Sequence, residues 1–153
     1  MTSIPGLNIE SVQRRLVAIR ERLGELRQLD AVTADRLAED WLTRAAVERV
    51  LTQLVELAAQ VNTHIVTVAG NVPPADYRGS FVAAAEIGAL PADLAAKIAP
   101  SAGLRNILVH QYLDADLEIV ATSVGQAIGD YAAYVRAVAT WLNAQSAGTD
   151  ARE

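Results

Sequence analysis

Polar groups interrupt an otherwise apolar run at Gly103-Leu104-Arg105-Asn106-Ile107-Leu108-Val109-His110-Gln111-Tyr112-Leu113-Asp114. An imidazole exchanges protons near neutral pH, so His110 suits proton transfer. A guanidinium is always charged and presents a planar fork of donors, so Arg105 suits an oxyanion. Asn106 brings both a donor and an acceptor, and Tyr112 a hydroxyl. On an ideal helix at about 100° per residue, Asn106 and His110 lie one turn apart on a shared face, and Arg105 and Tyr112 share another. Arg105 and His110 diverge by roughly 140° around the axis. One straight helix therefore does not aim both at the same point. A joint site needs a bend, a long arginine reach, or a second copy of the helix across a two-fold axis. The same two residues also fit a plainer account, a helix-surface charge and a satisfied, partly buried histidine.

The elements that must position this stretch all read as helices. Asn8 can cap a helix over 9–29, whose stripe is Ile9, Val12, Leu16, Ile19, Leu23 and Leu26. Arg14, Arg15, Arg20, Arg22, Glu21 and Glu25 take its remaining surface, the pattern of a solvated face. Thr33 can cap a short helix. A long one follows over 39–69, with Val47, Leu51, Leu54, Ala58, Val61, Ile65 and Val68 at helical spacing and Gly70-Asn71-Val72-Pro73-Pro74 to stop it. Asp76 can start a helix over 77–88, Pro91 fits the first position of a short segment over 92–98, and Pro100-Ser101 reads as a further interruption. The polar stretch then lies on a helical piece over 102–112. Asp114-Ala115-Asp116 leads into a last helix over 117–144, with the stripe Leu117, Val120, Val124, Ala127, Tyr131, Val135, Val138 and Leu142. No segment alternates with period two. The expected fold is an all-α, up-and-down bundle of about five helices, two of them long, with a short helical insert. It would occupy residues 1–144, with a frayed polar tail over 145–153.

Arg-Asn-x-x-x-His-x-Tyr at Arg105, Asn106, His110 and Tyr112 resembles the signature of the HEPN superfamily, and of its HepT branch in particular. In that motif an Arg, commonly followed by a polar residue, precedes a His, and HepT proteins add a Tyr beyond the His. The flanks are similar too: Leu104, Val109 and Asp114-Ala115-Asp116-Leu117-Glu118. Upstream, Ala46-Val47-Glu48-Arg49, Asn62-Thr63-His64-Ile65, Tyr77-Arg78 and Ala89-Leu90-Pro91 also look like the family, so the resemblance spans roughly residues 30–143.

The resemblance implies a HEPN-like homodimeric toxin that cuts RNA without a metal or other cofactor. His110 would move protons, Arg105 would hold the phosphate, and Asn106 would orient His110 or donate to a phosphate oxygen. It also implies a partner, a small nucleotidyltransferase antitoxin that silences the toxin by adding AMP to Tyr112. A bulky phosphate there would then share a helix face with Arg105. Glu48 and Arg49 are possible supporting residues near the site. The alternative is a non-catalytic HEPN module that binds such a nucleotidyltransferase.

Other residues and the composition bound these expectations. His64 sits near a helix C-terminus, where capping and dipole roles are usual. With His110 it completes the histidine content, and Asp114 is the one carboxylate at helical ligand spacing from His110, too few ligands for a closed zinc site. Asp35, Glu39 and Asp40 suit the positive end of the long helix, and Trp41 and Trp141 suit core or dimer anchors. Apolar residues make up 52% of the 153, enough for a core, while aromatics at 5% suit close helix packing. There is no cysteine, which agrees with a reducing cytoplasm, and Met1-Thr2-Ser3-Ile4-Pro5-Gly6 lacks the pattern of a signal peptide. No apolar stretch is long enough to span a bilayer. The net charge of −5, with eight Arg and eight acids in residues 1–50 and one lysine in the chain, excludes a broad basic face. RNA contact must rest on a few placed arginines.

Overall fold

The structure is a computed structural model and describes residues 4–150. Among them are seven α-helices and one 3-10 turn: α1 (Ile9–Gln28), α2 (Ala34–Glu39), α3 (Trp41–Val68), α4 (Tyr77–Glu86), α5 (Ala92–Ile98), α6 (Pro100–His110), the turn (Tyr112–Asp114) and α7 (Leu117–Asp150). The all-α bundle expected from the periodicity is what forms, but with seven α-helices among the described residues rather than about five, and with three long members, α1, α3 and α7, rather than two.

Short polar side chains start the helices as expected. Asn8 accepts from the Ser11 N–H, Thr33 from Arg36 and Asp76 from Gly79. Asp40, rather than Glu39, opens α3. Its carboxylate accepts from the Thr43 hydroxyl at 2.6 Å and the Thr43 N–H at 3.1 Å. These two bonds, the side-chain one first, hold the Asp40 carboxyl below its ordinary value. A depressed carboxylate favours the fold at neutral pH, and that contribution disappears as acid protonates it. At the other end of α3, Gly70 takes a positive φ of 87° and the Asn71 N–H reaches back to the Val66 carbonyl at 3.2 Å. Only glycine adopts that turn without strain.

Other expectations need correction here as well. Pro91 is the capping residue of α5 rather than its first helical residue. Pro100 does not interrupt a helix but begins one. Ala99 keeps helical angles (φ −53°, ψ −37°), and Pro100 occupies the first turn of α6, where its missing N–H costs nothing. At the far end, α7 continues past residue 144 to Asp150, through the first part of the stretch expected to fray.

α3 is the central element, touching α1, α2, α4, α6 and α7. It runs antiparallel to α1, since Asn8 meets His64 while Arg15 meets Gln60. It runs antiparallel to α6 as well, since Glu56 meets Arg105 while Arg44 meets Tyr112. His64 thus does perform a capping task, but for the entry to α1: its Nε2 accepts the Asn8 N–H at 3.0 Å.

The stripes Val12, Leu16, Ile19, Leu23 and Leu26 of α1 and Val120, Val124, Ala127, Val135, Val138 and Leu142 of α7 are buried. Phe81 of α4 packs edge-on against Tyr131 and Tyr134 of α7, at 6.5 and 6.0 Å between ring centroids. A polar chain threads this core. The Tyr134 hydroxyl donates to Asn62 Oδ1 at 2.7 Å, Asn62 Nδ2 donates to Ser80 Oγ at 3.2 Å, and Ser80 donates to the Tyr77 carbonyl at 2.6 Å. It ties α7 to α3, and α3 to the first turn of α4. Removing one member strands the others away from water. Asn62→Ala is expected to destabilise the fold by roughly 1–3 kcal/mol. Urea denaturation measures this, and a loss near zero would show the network to be dispensable.

Candidate active site

Arg105 projects from α6 into the angle between α3 and α4. Its Nη2 donates to Glu56 Oε1 at 3.0 Å and its Nη1 to Asn106 Oδ1 at 3.2 Å. The guanidinium carbon lies 4.8 Å from the centre of the Tyr77 ring, a cation–π contact. The side chain is only 17% exposed, and its Nε is buried without a partner. Glu56 and Asn106 take only two of the five guanidinium hydrogens, and Arg105 lines an open cleft, so donors remain for an oxygen acceptor. Arg105 is therefore no ordinary helix-surface charge. It is held on three sides and keeps donor capacity in reserve.

His110 is the last residue of α6. Its side chain is exposed and makes no hydrogen bond among the described residues. It is free to exchange protons with a ligand. No hydrogen bond links His110 to Arg105 or Asn106 within the chain, in keeping with the divergence expected on one helix. Asn106 is exposed on the same stripe as His110, one turn earlier, but its carbonyl oxygen is engaged by Arg105. Its amide hydrogens stay available for a ligand.

Tyr112 does not share a helix face with Arg105. Gln111 leaves the helical region (φ −137°, ψ 38°), α6 ends, and Tyr112 opens the 3-10 turn with 55% of its surface exposed. Arg44 of α3 explains the break. Its Nη2 donates to the Tyr112 carbonyl at 3.2 Å, and its Nε pairs with Glu48 at 2.9 Å. Glu48 thus supports the tyrosine turn through Arg44. Arg49 is exposed and pairs with nothing described. Trp41 is no core anchor, being 75% exposed, while Trp141 is partly buried.

Glu56, Tyr77 and Arg44 escaped the sequence reading as members of the site. Glu56 did leave a signal: it is the one acid in α3 beyond Glu48. Arg44 left none, because its role depends on a contact 68 residues away.

Comparison with solved structures defines the class first. The chain is similar to a tri-AMPylated HEPN toxin from Shewanella oneidensis solved in complex with an MNT antitoxin. They share 22% identity and a TM-score of 0.76, covering 88% of this chain and 99% of that one. It is similar also to YutE, a cytosolic protein of unknown function from Bacillus subtilis, at 14% identity and a TM-score of 0.78, covering 95% of each. At these identities the likeness establishes the fold alone, the helical bundle that these proteins share. The HepT-like ribonuclease family model matches residues 19–138. The chain is also 30% identical over 142 residues to the tRNA nuclease HepT of Aphanizomenon flos-aquae, covering 93% of this chain and 95% of that protein. The chain belongs to the HepT-like ribonuclease family.

Proposed function

We propose that the chain is a HepT-type toxin that cuts RNA with Arg105 and His110, and that two copies of α6 are needed to complete the site. The observation that carries this is the contrast along α6: a partly buried, restrained guanidinium with uncommitted hydrogens at Arg105, and an unrestrained imidazole at His110. The first suits a fixed phosphate oxygen and the second a proton in transit. In the reaction, the ribose 2′ oxygen attacks phosphorus as one His110 takes its proton. The P–O5′ bond breaks, and the His110 of the second copy protonates the departing 5′ oxygen. The products are a 2′,3′-cyclic phosphate and a 5′-OH, with no metal required. Because the relative named above is a tRNA nuclease, tRNA is the substrate to try first. Mass spectrometry of RNA ends formed in excess EDTA tests the mechanism. 3′-OH ends, or cutting abolished by EDTA, would overturn it.

A homodimer is supported by the apolar side chains left uncovered where α3 begins and α6 ends. Trp41 (75% exposed), Leu42, Tyr112 and Leu113 (84% exposed) gather there around the Arg44–Tyr112 bond. A dimer through this end would bring two His110 side chains towards one another.

The partner is a nucleotidyltransferase antitoxin, and its target is Tyr112. The Tyr112 phenol oxygen would displace pyrophosphate from ATP and keep the adenylate. Its turn is held by Arg44 while its side chain faces outward, so the modified group would put negative charge and bulk two residues from His110, rather than on the Arg105 face. Incubation with ATP and the transferase is expected to add adenylate to the wild type and stop RNA cutting. Tyr112→Phe should stay unmodified and active, and a Tyr112→Phe protein that is silenced equally would rule this residue out.

One observation favours a second reading, a non-catalytic HEPN module. Glu56 neutralises the Arg105 guanidinium in a chain of net charge −5. Growth arrest on expression that disappears in His110→Ala favours the nuclease; equal harmlessness of both favours the module.

A further inference from the structure

A cleft of about 400 Å³ lies between the start of α4 and the middle of α6, lined by Asp76, Tyr77, Arg78, Gly103, Arg105 and Asn106. Its charges are unequal in availability. Arg105 is matched by Glu56, and Asp76 serves as the α4 cap, accepting the Gly79 N–H at 2.6 Å. Arg78 is exposed and has no hydrogen bond or ion pair among the described residues. It is the cation in this cleft with no carboxylate assigned to it.

The floor is open for a reason visible in the sequence. Gly103 lies inside α6, where glycine is a poor helix former. A Cβ built there meets no atom within 4 Å, so packing does not demand the glycine. What its absent side chain preserves is free space beside Arg78. Asn106 lines the same cleft and sits on α6 one turn before His110. From Gly103 to His110 the rise is about 10 Å along the axis. A group seated at Gly103 is therefore not the one His110 acts on.

We propose that this cleft is a subsite for the phosphate of a nucleotide flanking the scissile link, with Arg78 as its cation and Gly103 as its open floor. The inference rests on the chain's acting on RNA. Tyr77 and Asn106 form the walls, and the amide hydrogens of Asn106 serve the same phosphate or its ribose.

Binding separates this subsite from catalysis. The probe is a short fluorescein-labelled oligoribonucleotide, read by anisotropy on a His110→Ala background so that it stays intact. Arg78→Ala is expected to weaken binding about tenfold, the value of one charge-assisted hydrogen bond. It should also reduce the slope of log affinity against log salt by about 0.7, one phosphate contact on a single strand. Arg78→Lys should keep most of that slope. Gly103→Leu, which fills the floor, should weaken binding comparably without lowering Tm. Unchanged affinity and slope for Arg78→Ala would overturn the subsite. So would an equal loss from Arg14→Ala on α1, which touches neither α4 nor α6, since net charge alone would then explain the effect. If RNA binding depends on Arg78 but the parent protein cuts nothing, the cleft is an RNA phosphate site and the nuclease reading fails, taking with it the position beside a scissile link. If the parent cuts RNA and Arg78→Ala binds as its parent does, the subsite alone fails.

Discussion

His110→Ala is expected to lower kcat for RNA cutting by roughly 10²–10⁴-fold, the range for a positioned group that transfers protons. Stability should stay within about 0.5 kcal/mol, because a surface side chain without partners takes little with it. The imidazole ends α6, is exposed, and bonds to nothing described. The separation of these two readouts is what makes the experiment decisive. A variant that keeps its urea midpoint and loses cutting has lost chemistry rather than fold, whereas one that cuts as wild type removes His110 from the mechanism. The same logic bears on the second copy. No hydrogen bond joins Arg105 to His110 within a chain, so activity per chain should fall on dilution into the range where sedimentation shows monomers. Constant activity per chain through that range would mean that one copy carries a whole site.

The parts of this molecule that sequence made legible are those decided locally or by a single repeating face. Val12, Leu16, Ile19, Leu23 and Leu26 recur at helical spacing because one side of α1 must leave water, and they are buried together. Asn8, Thr33 and Asp76 cap where they do because each satisfies an N–H three residues on. Pro100 was misread because a proline signals both a break and a beginning, and Ala99 decides between them through its own helical angles. Tyr112 was placed on the α6 face because nothing around Gln111 announces a stop. Arg44 supplies the stop from another helix by holding the Tyr112 carbonyl. The candidate site divides in the same way. Arg105, Asn106 and His110 were visible as a motif, but how Arg105 is held depends on Glu56 and Tyr77, which reach it only after α3 and α4 have packed.

Arg105→Ala is expected to cost roughly 10²–10³-fold in kcat, as for loss of one preorganised donor to a charge-bearing oxygen. Arg105→Lys should rescue little, since a single ammonium cannot reproduce two Nη bonds and a ring contact at once. Glu56 decides how that guanidinium is used, and two substitutions separate its effects. Glu56→Gln retains an amide oxygen to accept from Nη2 but removes the negative charge that competes with phosphate. KM should fall several-fold, by less than the roughly tenfold of one charged contact, with kcat nearly kept. Glu56→Ala removes the restraint as well, so Arg105 loses its fixed aim and kcat should drop about tenfold, the order of one lost charged hydrogen bond. Glu56 is on this account a positioning residue whose charge also restrains the affinity of the site for anions. If Gln and Ala at this position raised KM equally and spared kcat, Glu56 would be a binding contact in its own right. If Gln abolished cutting as fully as His110→Ala, its carboxylate would take part in proton transfer, and the division of labour between Arg105 and His110 would have to be redrawn.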